Sequence, residues 1–347
     1  MEKISIIGAG SWGTALAILL SDKGYEVSLY ARRKEQIDEI KNNRTNKDYL
    51  GDIKIPKDIM ITDDIKEAVE SADVAVMAVS SQQVRNVAQS IKNYVKKEAV
   101  IVNVAKGLEK GTNLRISQVV NSILSDNPFV VLSGPSHAEE VAMKMPTTVV
   151  AASDDISKAE YIQDIFSNEY FRVYTNPDVL GVELGGALKN IIAFGVGIID
   201  GLGYGDNTKA AIMTRGITEI TRLGASLGGQ ISTFAGLSGI GDLIVTCTSS
   251  HSRNRRAGIL IGKGYSLEET LKEIHMVVEG ITATEVAYNL AKEKNVDMPI
   301  TKEIYRVLYE NKDVKESVKS LMGRTKKHET EDIFNICLLY TSPSPRD

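Results

Sequence analysis

The chain predicts an α/β protein: an N-terminal, mostly parallel, doubly wound sheet followed by an all-helical C-terminal domain. Three observations carry this. A short apolar strand, Ile4-Ser5-Ile6-Ile7, runs into Gly8-Ala9-Gly10-Ser11-Trp12-Gly13 and then an Ala-rich helical segment, Thr14 to Leu20. Apolar runs and helical patterns alternate through the first half, as in βαβ units. Near Asn176-Pro177-Asp178 the character changes, and helical periodicity with Gly-rich breaks continues to Lys327.

The glycine segment reads G-x-G-x-x-G, and its placement between strand and helix gives each glycine a task. Gly8 permits the tight turn, Gly10 lets a pyrophosphate approach the backbone, and Gly13 lets the helix pack close to the strand. The phosphates would sit at the positive end of that helix. The alternative is a glycine-rich turn that binds nothing. Strands are expected at Ile4–Gly8, Glu26–Ala31, Val74–Val79, Val100–Val104, Phe129–Ser133, Thr148–Ala151 and Phe171–Tyr174. They are nearly all apolar, as strands covered on both faces are. Together these features describe a Rossmann-type domain over 1–177. Pro177 suits a first helical turn with Asn176 as N-cap. Val182, Leu184, Leu188, Ile191, Ile192 and Phe194 suit a helix buried on most faces, opening a helical substrate and catalytic domain over 178–330. Residues 331–347 carry Pro343 and Pro345 and no helix signal after Thr341, and read as an atypical, foreign tail.

Bulk properties narrow the function classes. At 347 residues the chain suits two domains, and 43% hydrophobic with 25% charged residues is ordinary for a globular protein. A net charge of −4 supplies no global basic field for nucleic acid. Cys247 and Cys337 are far apart and lack metal-ligand spacing, and His137, His251, His275 and His328 form no H-x-x-x-H pair. No metal site is expected. No basic n-region with a following apolar stretch opens the chain, and Ile191–Ile199, broken by Gly195 and Gly197, is too short to span a membrane. The expected location is the cytoplasm. A homodimer is compatible with the sequence, which does not itself set the oligomeric state.

The second strand ends Tyr30-Ala31-Arg32-Arg33, with no acid where an NAD-specific fold places one for the ribose 2′-hydroxyl. A guanidinium fork suits a 2′-phosphate, so NADP should be accepted beside NAD. The alternative is that both arginines are the solvated start of the next helix. At the carboxyl ends of later strands, where such sheets bind ligands, stand Lys106, Gly134 and Ser136. Each alone would pass for a loop residue. Lys189 interrupts an apolar helix. A buried lysine needs a partner or a lowered pKa, and with the latter it serves as a general base near neutrality. The alternative is a lysine snorkelling at a helix edge. Asp242 sits among glycines and apolar residues and calls for a cation or hydroxyl partner. Ser252, Arg253 and Asn254 offer the hydroxyl, fork and amide that grip a phosphate, or the solvated start of a helix. His251 receives no role.

These segments together resemble one family, the bacterial NAD(P)-dependent glycerol-3-phosphate dehydrogenases. The matching stretches are GAGSWGTALA at the start, AKGLE at Ala105, LSGPSHAEEV at Leu132, ELGGALKNIIA at Glu183, GDNTKAAIMTRG at Gly205, GLSGIGDLIVTCTS at Gly236, SRNRRAG at Ser252, VVEGITA at Val277 and MPI at Met298. They run in the family's order over nearly the whole chain. The resemblance implies reversible reduction of dihydroxyacetone phosphate to sn-glycerol 3-phosphate, the backbone of phospholipids. It implies cofactor contacts from Ser11, Trp12, Arg32, Arg33, Ala138, Val277 and Glu279. It implies substrate contacts from Lys106, Gly134, Ser136, Asp242, Ser252, Arg253 and Asn254, with Lys106 and Arg253 touching both ligands. Lys189 would be the catalytic acid and base, oriented by Asp242. The chain runs past the family's usual end near Gly323-Arg324. Two other readings stay open: a related two-domain dehydrogenase acting on a 3-hydroxy acid or sugar acid phosphate, and a catalytically silent NADP-sensing protein.

Overall fold

The computed structural model describes residues 2–326, 328 and 329; the expected tail at 331–347 and Cys337 lie outside them. Among the described residues eight strands form one sheet: β1 (Lys3–Ile7), β2 (Glu26–Tyr30), β3 (Met60–Thr62), β4 (Val74–Met77), β5 (Val100–Asn103), β6 (Phe129–Ser133), β7 (Thr147–Ala152) and β8 (Phe171–Asn176). Their order is β3-β2-β1-β4-β5-β6-β7-β8, parallel throughout except that β6 and β7 pair antiparallel. The order reverses between β1 and β4. That is where a doubly wound sheet opens a crevice at its carboxyl edge. Every residue of β4 and β5 is buried, which is why these strands read as unbroken apolar runs. β3 is the one strand that the sequence pattern does not announce. Its three residues, paired only with β2, are too few to show a period.

The helices of this half are α1 (Ser11–Asp22), α2 (Lys34–Asn43), α3 (Lys47–Leu50), α4 (Ile65–Val69), α5 (Val84–Ile91), α6 (Ile116–Asn121), α7 (Ala138–Ala142) and α8 (Ile156–Phe166). α1 starts three residues before the apolar segment Thr14–Leu20, immediately at the extended backbone of Gly10.

After β8 every regular element among the described residues is helical: α9 (Val179–Gly201), α10 (Asp206–Ser226), α11 (Ile231–Phe234), α12 (Asp242–Thr248), α13 (Arg253–Gly262), α14 (Leu267–Ile274), α15 (Glu279–Glu293), α16 (Pro299–Tyr309) and α17 (Val314–Met322). The start of α9 corrects the sequence reading. Asn176 is not its N-cap but the last residue of β8, paired with Ala152, and Pro177 lies outside the helix. Asp178 is the cap. Its carboxylate accepts from the Gly181 and Gln230 amides, both at 2.8 Å, and from Thr233 Oγ1 at 2.7 Å. The β7–β8 ladder runs two residues beyond Tyr174, so the turn into the helix comes later than the Asn-Pro pair suggested.

α9 is the axle of the helical half. Its 23 residues have a mean window hydropathy of 1.5, long and apolar enough by composition to cross a membrane, yet that window is wholly buried inside the protein. A helix apolar on all sides is what a core position demands. α10, α12, α13 and α15 pack around it. Against α13 the contact is backbone to backbone. A Cβ at Gly197 would meet Gly258 Cα at 2.9 Å, and one at Gly201 would meet Gly262 Cα at 2.9 Å. This close crossing holds the first turn of α13 beside Asn190 of α9.

Candidate functional site

The carboxyl edge of β1, β4, β5 and β6 faces the middle of α9 and the N-terminal turns of α12, α13 and α15. At β1 the chain turns through Gly8, whose φ of +116° is strained for any other residue. A Cβ at Gly13 would run into the Gly8 carbonyl oxygen, so that glycine lets α1 pack onto the turn. Gly10 differs from both. Its φ is −76° and nothing lies within 4 Å of the position its Cβ would take. Neither backbone geometry nor packing within the chain calls for glycine there; the space above it fits a group that lies against the backbone at the start of α1. This is the feature of the loop that suits a pyrophosphate.

The loop is braced from below. The Ala9 carbonyl accepts from Asn46 Nδ2 at 2.9 Å and Gln36 Nε2 at 2.5 Å, and Asn46 also donates to Thr14 Oγ1 at 2.9 Å. Ser11 Oγ donates to the Tyr49 carbonyl at 3.0 Å, and Trp12 is half-buried, its ring tilted against Phe171. Arg32 and Arg33 are exposed at the end of β2. Arg33 lies over the Tyr49 ring at 5.5 Å and donates to its hydroxyl at 3.3 Å. Tyr49, on the short helix α3, therefore belongs to this corner, and no sequence signal marked it.

Across the crevice one carboxylate joins two lysines. Asp242 Oδ1 lies 2.5 Å from Lys189 Nζ, and Oδ2 lies 2.8 Å from Lys106 Nζ. Lys189 is 5% exposed and Asp242 1%, so the Lys189 ammonium is held inside and does not snorkel. It also donates to Thr246 Oγ1 at 2.7 Å; Thr246 lies one helical turn beyond Asp242 on α12 and donates to the Asp242 carbonyl. Burial pulls the Lys189 pKa from 10.5 down to about 8, with Lys106 pushing the same way and Asp242 opposing. Burial works against ionised Asp242, but the two ammonium groups outweigh it and hold the carboxyl below its usual range. Lys106 donates as well to the Gly134 carbonyl at 2.7 Å and sits 3.4 Å from Ser136 Oγ, so the β6 loop is tied to the same cluster. Gly185 and Gly186 explain how α9 reaches it. A Cβ at Gly185 would meet the Ser238 carbonyl at 2.7 Å, and one at Gly186 would meet Ser133 Oγ at 2.8 Å. Asp242 itself follows a π-helical turn, Leu237–Gly241, a backbone irregularity frequent at functional sites.

Beside this cluster, Ser252 caps α13, its hydroxyl accepting from the Arg255 amide at 3.2 Å. Asn254 accepts from the Gly280 amide at 2.8 Å and donates to Asn190 Oδ1 at 2.9 Å, and Asn190 in turn donates to the Lys106 carbonyl at 3.1 Å. The Ser252 hydroxyl keeps its proton to donate, and the Asn254 amide keeps its second N–H. Arg253 is exposed, with one bond of 3.4 Å to the Val277 carbonyl; the Val277 side chain is itself exposed. Ala138 is the buried first residue of α7. Glu279 opens α15 and crosses to the other half, accepting from the Ser81 amide at 2.9 Å and Ser81 Oγ at 2.5 Å; burial lifts its carboxyl above the usual range despite these bonds and Arg253. Thr246, Asn190 and Tyr49 are the members that sequence reasoning missed. Thr246 was within reach as the i+4 partner of Asp242.

Among the described residues three ion pairs cross from one half to the other: Lys106–Asp242, Arg115–Glu183 at 2.7 Å and Lys110–Glu285 at 3.0 Å. In each the carboxylate comes from the helical half. No group of three or more His, Cys, Asp or Glu among the described residues gathers as metal ligands would.

The chain matches the family models for the NAD-dependent glycerol-3-phosphate dehydrogenase N-terminus over residues 3–159 and C-terminus over residues 178–319. It is 57% identical over 331 residues to a glycerol-3-phosphate dehydrogenase (NAD(P)+) of Thermoanaerobacter sp. (strain X514), covering 95% of this chain and all of that one. A protein of the same description from Bacillus subtilis (strain 168) is 53% identical over 338 residues, 96% and 98% of the two chains. Among solved structures, the glycerol-3-phosphate dehydrogenase of Coxiella burnetii superposes with a TM-score of 0.90 at 38% identity, over 93% of this chain and 99% of that one. A D-mandelate dehydrogenase, at 16% identity and a TM-score of 0.63 over 92% and 99% of the two chains, shares the fold.

Proposed function

Because the chain belongs to the NAD-dependent glycerol-3-phosphate dehydrogenase family, we propose that Lys189 is the group that gives and takes the substrate proton as dihydroxyacetone phosphate and sn-glycerol 3-phosphate are interconverted. The enzyme is an oxidoreductase dependent on NAD(P). The observation that carries the Lys189 assignment is its ammonium, buried beside Asp242 and Thr246 with its pKa near 8, at the carboxyl edge that the glycine loop occupies.

The residues present fit the cofactor. The open space above Gly10 and the start of α1 suit its pyrophosphate, and Ser11 and Trp12 border that turn. Arg32 and Arg33 suit a 2′-phosphate, so the reading includes use of NADP. Ala138 at the start of α7, Val277 beside Arg253, and Glu279 beside Ser81 complete the proposed cofactor contacts. The reduced nicotinamide, when bound, supplies the hydride that reaches C2.

The chain's own residues do the rest. Below about pH 8 Lys189 is mainly ammonium; it donates to the C2 oxygen, stabilises negative charge growing there, and gives up its proton as the alcohol forms. In the reverse direction neutral Lys189 takes that proton back. Asp242 keeps the ammonium oriented and raises its proton affinity against burial, and Thr246 fixes its second hydrogen bond. Lys106, shared with Asp242 and the Gly134 carbonyl, adds positive charge and ties the Gly134–Ser136 loop to the site. Arg253, the free N–H of Asn254 and the Ser252 hydroxyl take the substrate phosphate, and that remote grip positions C2. We place the reaction in the cytoplasm; the unpaired thiol of Cys247 is compatible with a reducing compartment.

Lys189→Ala tests the assignment. Reduction of dihydroxyacetone phosphate should fall by roughly 10²–10⁴ in kcat, the usual worth of a general acid, while NADPH binding persists. Near-normal turnover would overturn the role.

A further inference from the structure

We infer that the His137 imidazole is a ligand of the substrate phosphate, additional to Ser252, Arg253 and Asn254. The inference rests on the reading of the site given above and starts from an unmet group. His137 Nε2 is buried and has no hydrogen-bond partner among the described residues. A buried ring nitrogen without a partner is costly and rare, and where it occurs it asks for a ligand.

The position of the ring says which ligand. His137 is the N-cap of α7 and closes the loop whose Gly134 carbonyl and Ser136 hydroxyl meet Lys106. Its ring packs against that of His251, with centroids 5.8 Å apart and planes tilted by 50°. His251 immediately precedes Ser252-Arg253-Asn254. The two imidazoles thus join the loop after β6 to the turn that opens α13, the two segments that carry the candidate phosphate contacts. No hydrogen bond joins the two rings, so Nε2 stays without a partner among the described residues.

The charges around the ring suit an anion. Lys189 on α9 and Lys106 after β5 face it as cations, Glu139 and Glu140 on its own helix oppose them, and His251 covers it from the α13 side. Burial first, then the two lysines, hold the imidazole below its ordinary pKa, so it is neutral at pH 7. A neutral ring still offers one N–H. An arriving phosphate reverses the local field, favours the imidazolium, and converts that bond into a charge-assisted one.

The test compares dihydroxyacetone phosphate with dihydroxyacetone, which has the same carbonyl and no phosphate, as substrates of the wild type and of His137→Ala. With NADPH as reductant, KM for dihydroxyacetone phosphate should rise roughly tenfold or more in the variant, as expected for one lost bond to a charged group. Its kcat/KM for dihydroxyacetone should not change, since that substrate carries no phosphate for the ring to hold. An unchanged KM for the phosphate ester, or equal losses on both substrates, overturns the inference. If the variant does not fold, the wild type decides. In the presence of NADPH, sn-glycerol 3-phosphate should raise the pKa read from the His137 ring-proton resonance and glycerol should not; an identical titration with both overturns it. A wild type that fails to reduce dihydroxyacetone phosphate removes the underlying reading, whereas an active wild type with an unaffected variant removes only the role of His137.

Discussion

Replacing Asp242 by Asn keeps the shape of the side chain and removes the charge that two lysines share. The carboxylate sits 2.5 Å from Lys189 Nζ and 2.8 Å from Lys106 Nζ, at 1% exposure. It is the foremost influence holding the Lys189 pKa up against burial, at about 8. Breaking a buried pair by removing one partner costs about 3–5 kcal/mol. If only half of that is expressed on Lys189, its proton is lost at least about one pH unit earlier, since each pH unit corresponds to about 1.4 kcal/mol. The Asn amide nitrogen, turned toward either ammonium, acts in the same direction. In the native enzyme the ammonium form dominates at pH 7, so reduction should be sustained there and decline above about pH 8. In Asp242→Asn the decline should begin at or below neutrality. Oxidation, which needs neutral Lys189, should keep its activity to correspondingly lower pH. The assay is kcat/KM against pH in both directions, with dihydroxyacetone phosphate and NADPH and with sn-glycerol 3-phosphate and NADP. A limb that stays in place, or moves to higher pH, refutes the reasoning.

Two further predictions concern the two halves separately. Gly10→Ala should unfold at the native temperature, since nothing lies within 4 Å of the added methyl, yet bind NADPH more weakly; Gly13→Ala, aimed at the Gly8 carbonyl, should lose about 1–3 kcal/mol of stability. Equal stability of the two variants in denaturant melts would contradict this. Glu219 on α10 accepts from the Ile300 and Thr301 amides and Thr301 Oγ1, and burial lifts its carboxyl from 4.5 to about 7. The folded state therefore binds this proton more tightly than the unfolded state. Its contribution is fully present below about pH 4.5 and is lost as pH rises through about 7, by up to about 3 kcal/mol. Thermal unfolding should show this drop between pH 5 and 8 in the wild type and a smaller one in Glu219→Gln; identical slopes would exclude it.

Much of the fold is legible in the sequence because its strands are covered on both faces and its glycine loop stands between a strand and a helix. β3 escapes because three residues carry no period. The start of α9 was misplaced because Asn176 and Asp178 are both good caps, and only the end of the β7–β8 ladder decides between them. In the site, Lys189, Asp242 and Lys106 each stood out as charges among apolar residues or at a strand end. That one carboxylate serves both lysines was not visible, since 53 and 136 positions separate them along the chain. Tyr49, on the short helix α3, finds its partners in distant segments. There composition is silent and only tertiary geometry assigns a neighbour.

The ion pairs across the seam give it a polarity. Lys106, Lys110 and Arg115 stand on the sheet side, and Asp242, Glu285 and Glu183 stand on the helical side. Such a seam is keyed like a plug and socket. Two sheet halves brought face to face would leave these three cations without their carboxylates, and two helical halves would leave Glu183 and Glu285 without their cations, so each half favours its native mate. A chain severed between β8 and α9 would thus yield two fragments with a built-in preference for each other, a natural starting point for a split enzyme whose activity reports reassembly.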